Sequence, residues 1–192
     1  MVDDTHGSSM KPSQLTTPPL APEEGWVEDA MTGPRSTQGS FVSGEPEGQR
    51  LRVRYYRRST DGALVGKAWF GPGALGPPRH AHGGGMAAVL DEAMGLAAWL
   101  AGYRVIAARL AVDFKNMLPL GTVAWIEVTV EQVEGRKVHM RGRLCSPDGA
   151  VFAESRGLFI QLSQEQVEQL RDIWSGTMAG NADGPPADER DR

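Results

Sequence analysis

The stretch that decides the fold is HGGGMAAVLDEAMGLAAWL, residues 82–100. After the glycines it contains mostly Ala, Leu, Met, Val and Trp, and Asp91 and Glu92 are its only charged side chains. It is nearly as long as a membrane span, but an acidic residue at the centre of a span costs about 2.5 to 3.5 kcal/mol. We therefore interpret residues 84–100 as a buried helix. A helix that is apolar on all sides has to be covered on all sides.

Short segments with strand-like patterns surround this helix in the sequence. Residues 50–58 and 63–70 are joined by a Thr-Asp-Gly turn and predict a hairpin. Further strands are predicted at residues 105–116, 122–133, 137–145 and 150–162. Two strands, a helix and then strands joined mostly by tight turns indicate an α+β fold with a largely antiparallel sheet. Such a sheet covers about half of the helix, and a second copy of the protein could cover the rest.

Composition divides the chain into three parts. Residues 1–49 carry two basic and eight acidic side chains together with six Pro and six Gly. We predict that this tail is largely disordered, with Trp26, Val27 and Phe41 as candidates for local docking. Residues 176–192 have the same character. The predicted domain spans residues 50–175, and Ser163 with Gln166 has the spacing of a capping box that starts a short closing helix.

The predicted domain is basic, with sixteen basic against twelve acidic residues over 50–175. This balance suits a polyanionic ligand, such as a nucleotide-bearing cofactor or nucleic acid, although a solvated surface with chance asymmetry is the plainer alternative. The interleaved bases and aromatics of RLRVRYYRR, residues 50–58, are better explained by a solvent-facing strand edge than by nucleic acid. We expect neither a nucleic-acid nor a membrane partner.

Other classes of protein are excluded by simpler features. A single Cys excludes a disulfide framework and a multi-cysteine metal site within one chain. His80 and His82 have no third ligand nearby in sequence, so no metal is expected. The first residues, MVDDTHGSSMKPSQ, have no apolar segment of the kind found in secretory signals. The expected location is cytoplasmic.

Two features of the helix could carry chemistry. Glycines at its start leave backbone N–H groups at the positive end of the helix dipole, where they could hold an oxyanion. The alternative is that these glycines only permit a tight turn and close packing. Asp91, in apolar surroundings, is a candidate general base or nucleophile. We interpret Glu92 as a surface charge that points to solvent.

The spacing of these two features predicts that they act between subunits. Gly83 and Asp91 are eight residues apart, which is about 12 Å along a helix. One carbonyl carbon therefore cannot contact both in a single chain. Two copies that pair about a two-fold axis with antiparallel helices would place the amides of one helix against the carboxylate of the other. This hypothesis is a composite site in a homodimer.

The run HGGGMAAVLDEAMG resembles the HGG…D signature of hotdog-fold acyl-CoA thioesterases of the phenylacetate-degradation type. The resemblance extends from Gly76-Pro77-Pro78 through Phe114-Lys115 to the stretch 133–137 and covers about residues 50–162. It implies a hotdog fold, with an antiparallel sheet wrapped around the helix, and hydrolysis of an acyl-CoA or related pantetheine thioester. It also implies a homodimer or a dimer of dimers. No cofactor is implied, since CoA is part of the substrate.

The resemblance also implies roles for particular residues. The N–H of Gly83 would polarise the thioester carbonyl, His82 would shape the loop, and the partner's Asp91 would activate water or attack directly. The residues that match positions near the CoA phosphates or pantetheine are Gly84, Lys115, Arg136 and Lys137.

One departure keeps a second reading open. Relatives often carry a Ser or Thr hydroxyl on the strand after the helix, where this chain has Ala107 and Ala108. The alternative function is therefore a non-catalytic hotdog module that binds an acyl-CoA or a protein. Release of free thiol from acyl-CoAs distinguishes the two.

Overall fold

The computed structural model describes residues 18–28, 30–32 and 39–170 of the 192-residue chain. Their elements follow in the order β1 (Trp26–Val27), β2 (Leu51–Arg58), β3 (Leu64–Phe70), α1 (Gly83–Leu100), β4 (Val105–Phe114), β5 (Val123–Glu134), β6 (Lys137–Cys145) and β7 (Val151–Gln161). The strands form one sheet in the order β1-β2-β3-β5-β6-β7-β4, and every neighbouring pair is antiparallel. The predicted α+β class with an antiparallel sheet around an apolar helix is confirmed.

Helix α1 packs its larger side chains against one face of this sheet. The buried side chains of the helix are Met86, Val89, Leu90, Ala93, Met94, Ala97 and Ala98. Burying a large apolar side chain of this kind contributes about 1.5 to 3 kcal/mol, so this contact organises the domain. Between these buried positions, Asp91 and several small residues that are partly buried or exposed form a stripe at spacings of three and four. The members of this stripe are Gly84, Ala87, Ala88, Asp91 and Gly95.

The outer face of the sheet is covered by part of the N-terminal segment. The Lys67 ammonium donates to the Ala21 carbonyl at 2.7 Å and pairs with the Glu23 carboxylate at 2.6 Å. The Trp26 ring packs edge-on against Trp125, with 5.5 Å between ring centroids. Strand β3 is therefore buried along its whole length, between α1 on one face and residues 21–26 on the other.

Packing thus begins well before the predicted domain boundary at residue 50. Trp26 docks, as predicted, while the Phe41 side chain is 83% exposed and does not. A sequence of prolines and acidic residues can pack in this way because Lys67 and Trp125 provide a charge and an aromatic surface on the sheet. The predicted disorder of residues 1–17 and 176–192 lies outside the described residues.

The two edges of the sheet differ in length. Strand β1 forms one edge with only two residues, whereas β4 forms the other with ten residues, of which seven are exposed. A long exposed edge presents unpaired backbone donors and acceptors that can pair with another strand. Strand β4 is therefore the edge at which a second chain could extend the sheet.

The last described segment begins with the predicted capping box. The Ser163 N–H donates to the Gln166 side-chain carbonyl at 2.9 Å, and the Gln166 N–H donates to the Ser163 hydroxyl at 3.2 Å. Residues 164–170 are helical. No helix in the described part of the chain combines the length and apolarity needed to cross a bilayer.

Candidate active site

The first turn of α1 leaves one backbone amide free. His82 is the N-cap, and its Nδ1 accepts the Gly84 N–H at 2.9 Å. The His82 carbonyl accepts the N–H groups of Gly85, at 2.9 Å, and of Met86, at 3.4 Å. Within the described residues the Gly83 N–H has no acceptor. The positive end of the helix dipole therefore presents a single unpaired donor, at the residue predicted to polarise a carbonyl.

His82 shapes this turn, as the resemblance implies, and two glycines make room for it. A β-carbon on Gly84 would lie 2.9 Å from His82 Nδ1, and one on Gly76 would lie 2.6 Å from the His82 Cα. Backbone bonds from His82 to Ala74, at 2.7 Å, and from Ala81 to Leu118, at 2.8 Å, fix the loop before the helix. The structural and the functional interpretation of the glycines therefore both apply. The glycines permit the tight turn, and the turn orients the free Gly83 amide.

Asp91 lies two turns further along α1 and is half-buried. Its Oδ1 is shielded from solvent and has no hydrogen-bond partner among the described residues. Burial raises the pKa of the Asp91 carboxyl. A carboxylate that lacks a partner and has a raised pKa is a better proton acceptor than an ordinary surface aspartate, which is the requirement for a general base.

Glu92 does not behave as the surface charge that the sequence indicated. Its carboxylate accepts hydrogen bonds from the Tyr55 hydroxyl at 3.0 Å and from the Ser40 hydroxyl. Burial raises the pKa of the Glu92 carboxyl, and hydrogen bonds, including the one from Tyr55, act in the opposite direction. The prediction of a solvent-facing side chain is wrong because Tyr55 on β2 and the segment around Ser40 both cover this side of the helix.

Of the predicted CoA-binding residues, Gly84 and Lys115 lie near the start of α1. Gly84 is in its first turn. Lys115 directly follows Phe114, whose ring packs on Gly83. The Lys115 ammonium is 3.8 Å from carboxylate oxygens of both Asp113 and Glu154. Its charge is thus already compensated within the chain.

Arg136 and Lys137 lie at the opposite end of the sheet. Lys137 is paired in register with Ile160 of β7, whereas Phe114 is paired with Ala153 of the same strand. Seven residues of a strand span about 23 Å, so one chain does not bring Lys137 to Gly83. Arg136 donates to the Gln161 carbonyl at 2.8 and 3.0 Å, and Lys137 has no ion-pair partner in the described part of the chain.

Metal-ligating residues do not gather in this region. Among the residues that the structure describes, no three His, Cys, Asp or Glu side chains come together as a metal site. His80 Nδ1 lies 2.8 Å from the Pro78 carbonyl, and His82 Nδ1 holds the helix start. The two histidines that could have suggested a metal are therefore used in the local backbone structure.

The sequence analysis did not identify two residues of this region as candidates for the site. Phe114 contacts Gly83, and its position near the end of a predicted strand was the available signal. Tyr55 binds Glu92 from 37 residues away, and no local pattern indicates such a pairing.

The geometry agrees with comparisons to known proteins. Residues 79–153 match the family model of the thioesterase superfamily. Acyl-coenzyme A thioesterase THEM5 of Mus musculus is 39% identical over 100 residues, which are 52% of this chain and 40% of that protein. Acyl-coenzyme A thioesterase THEM4 of Xenopus laevis is 41% identical over 139 residues, 64% of this chain and 63% of that one. The chain thus spans 40% to 63% of the length of these relatives.

Solved structures show the same architecture. A crystal structure of a thioesterase superfamily protein superimposes with a TM-score of 0.57 and 29% identity over 62% of this chain and 59% of that chain. A Bacillus halodurans protein crystallised with CoA superimposes with a TM-score of 0.56 and 19% identity over 68% of this chain and 85% of its own. Its low identity makes it a match of fold alone. With its antiparallel sheet wrapped around α1 and its glycine-capped helix start, the chain has the α+β architecture of these structures, and residues 79–153 match the thioesterase superfamily.

Proposed function

We propose that the protein hydrolyses the thioester of an acyl-CoA, or of a related pantetheine, to the free acid and the thiol. The observation that carries this proposal is the pair of unsatisfied groups on α1, the Gly83 N–H and the Asp91 carboxylate. A thioester needs a donor for its carbonyl oxygen and a base for water, and α1 supplies one of each. The names of the THEM4 and THEM5 relatives, and the CoA in the Bacillus halodurans structure, support the same substrate class.

The proposed reaction follows from these two groups. The Gly83 N–H donates to the thioester carbonyl oxygen and stabilises the negative charge that develops there. Asp91 accepts a proton from water as the water oxygen bonds to the carbonyl carbon. The C–S bond then breaks, and the proton passes to the departing sulfur, which leaves the acid and the CoA thiol. Direct attack by the Asp91 carboxylate is the other route open to the same residue.

The distance between the two groups requires a second chain. Eight helical residues separate Gly83 from Asp91 by about 12 Å, which exceeds the reach of one carbonyl group. Pairing of two β4 edges about a two-fold axis would continue the sheet and bring two α1 helices together antiparallel. Their small-residue stripes allow close approach, so that the partner's Asp91 faces Gly83. A dimer of dimers stays a prediction.

The same symmetry accounts for the distant basic residues. The two-fold axis places opposite ends of the two sheets side by side, so Lys137 and Arg136 of one copy approach Gly83 of the other. Lys137, which has no ion-pair partner in the described part of the chain, is the better placed of the basic residues to meet a CoA phosphate. CoA is then part of the substrate, and the proposed reaction uses water, the Gly83 N–H and the Asp91 carboxylate.

The test is release of free thiol from a panel of acyl-CoAs by the wild-type protein and by Asp91→Asn, with Glu92→Gln as the matched control. We expect turnover in wild type and control and its loss in Asp91→Asn. Binding of acyl-CoA by calorimetry without thiol release would favour the non-catalytic module instead.

Ile106→Glu, which places a charge on the β4 edge, should give an inactive monomer, and a fully active monomer would contradict the composite site. Absence of nucleic-acid and membrane partners and a cytoplasmic location stay predictions.

A further inference from the structure

The side chain of Phe114 stands beside the free amide of α1. A β-carbon built on Gly83 would lie 3.0 Å from Phe114 Cζ and 3.2 Å from its Cε1. The tip of the ring therefore occupies the space next to the Gly83 α-carbon, where a side chain would otherwise project. Phe114 is nevertheless 54% exposed in the single chain, so part of its side chain is open to solvent.

Backbone bonds hold Phe114 in this position. Phe114 is in register with Ala153 on β7, and the N–H groups of Lys115 and Asn116 both donate to the Phe152 carbonyl, at 2.9 and 3.2 Å. The Asn116 side-chain amide also donates to the Val151 carbonyl at 2.7 Å. The end of β4 is thus fastened to the sheet, so the backbone that carries the ring belongs to a paired strand and not to a loop.

Two further exposed apolar side chains lie near the loop before α1. Leu75 and Met117 are 54% and 58% exposed and lie on the two segments that are joined to the loop before α1. At the end of β4, the Lys115 ammonium pairs with Asp113 and Glu154, and Glu154 also pairs with Arg141. Because these charges balance one another, the exposed apolar side chains make this end of the site favourable for an apolar group.

A carbonyl oxygen bound by the Gly83 N–H lies about 2.9 Å from that nitrogen. The carbonyl carbon carries the sulfur on one side and the acyl chain on the other. Because the exposed side chains at this end, Leu75, Phe114 and Met117, are apolar, the acyl chain is the substituent that leaves on this side. Its first carbons then pass within contact distance of the ring.

We propose that Phe114 sets the acyl selectivity of the site by forming a rigid wall against the carbon next to the carbonyl. The wall admits linear acyl groups and excludes those that are branched at this carbon. This inference rests on the proposed thioesterase function and adds to it the class of acyl group that is accepted. Phe114 acts on the substrate by contact alone and takes no part in proton transfer.

The test compares kcat/KM for butyryl-CoA and isobutyryl-CoA, which have the same number of carbons, in wild type, Phe114→Ala and Phe114→Leu. We expect the ratio of isobutyryl to butyryl turnover to rise about 10-fold or more in Phe114→Ala, the scale that one methyl group is worth in an apolar pocket. Phe114→Leu should give an intermediate ratio. Phe41→Ala removes an exposed ring outside the sheet and should leave the ratio unchanged.

A second comparison tests the contact itself. Gly83→Ala should lower turnover of butyryl-CoA, since its β-carbon meets the ring at 3.0 Å, and Phe114→Ala in the same chain should restore part of it. An unchanged acyl ratio in folded, active Phe114 variants would overturn the selectivity proposal and leave the thioesterase function standing. Absence of thiol release from every acyl-CoA in the wild type would overturn the function and the selectivity together. If Phe114 only stabilises the fold, its variants should have a lower melting temperature and an unchanged ratio of isobutyryl to butyryl turnover. That result would also contradict the proposal.

Discussion

Asp91 and Glu92 are neighbours on α1 with opposite surroundings. Glu92 accepts hydrogen bonds from Tyr55 and Ser40, which come from two distant parts of the chain. Asp91 has a shielded oxygen for which the described residues provide no donor. A buried carboxylate is normally paired, because an unpaired one is destabilising. Glu92 is thus tied to two other parts of the fold, whereas Asp91 is left free for the proton transfer proposed for it.

The largest expected effect is on turnover by Asp91→Asn. This change keeps the size of the side chain but removes the proton acceptor, so kcat should fall about 100-fold or more. Stability should be unchanged or higher, because an amide has no charge to desolvate. Steady-state kinetics and thermal denaturation of the same preparation measure both quantities. Full activity in the asparagine variant would remove Asp91 from the mechanism.

At Glu92 the next largest effect is expected, on stability and not on turnover. Glu92→Ala leaves the buried Tyr55 hydroxyl without its acceptor and should lower the free energy of unfolding by about 1 to 3 kcal/mol. Glu92→Gln retains an acceptor oxygen and should lose less. Urea denaturation measures the difference, and Tyr55→Phe completes a double-mutant cycle. Equal stability of Glu92→Ala and wild type would show that the hydrogen bonds contribute nothing.

A smaller effect is expected in the pH dependence of stability. Burial raises the pKa of both carboxyls above their ordinary values of 3.8 and 4.5. Just above these values the folded protein retains protons that the unfolded chain has released, so the free energy of unfolding falls as pH rises through this window. Asp91→Asn should make that fall less steep. Denaturation at a series of pH values tests this, and a slope that is the same in the variant would contradict a raised pKa at Asp91.

The smallest effect extends the comparison to two lysines. Lys115 is compensated by Asp113 and Glu154, whereas Lys137 has no ion-pair partner among the described residues. Lys137→Glu should raise KM for acyl-CoA by several-fold, and by more than Lys115→Glu does. The increase should shrink as salt rises, since exposed charges are screened. A loss confined to kcat and independent of salt would contradict a phosphate contact.

Sequence predicted much of the sheet and helix because their signals are local. The apolar run ending at Leu100, the alternation along β6 and the Ser163–Gln166 capping box each depend on neighbours a few residues away. The boundary at residue 50 placed the N-terminal segment outside the domain because the residues that receive it, Lys67 and Trp125, are far along the chain. Glu92 was misread for the same reason, since its donors are 37 and 52 residues away.

By itself the sequence determined that an apolar helix opens with glycines and carries an acid two turns later, because helix periodicity and residue chemistry are local properties. Only the tertiary structure decided which backbone amide is free, which of two adjacent acids is satisfied, and that the Phe114 ring packs on Gly83. These outcomes depend on contacts between segments distant in sequence. Such contacts are fixed by the packing of the whole domain, and no local sequence pattern predicts them.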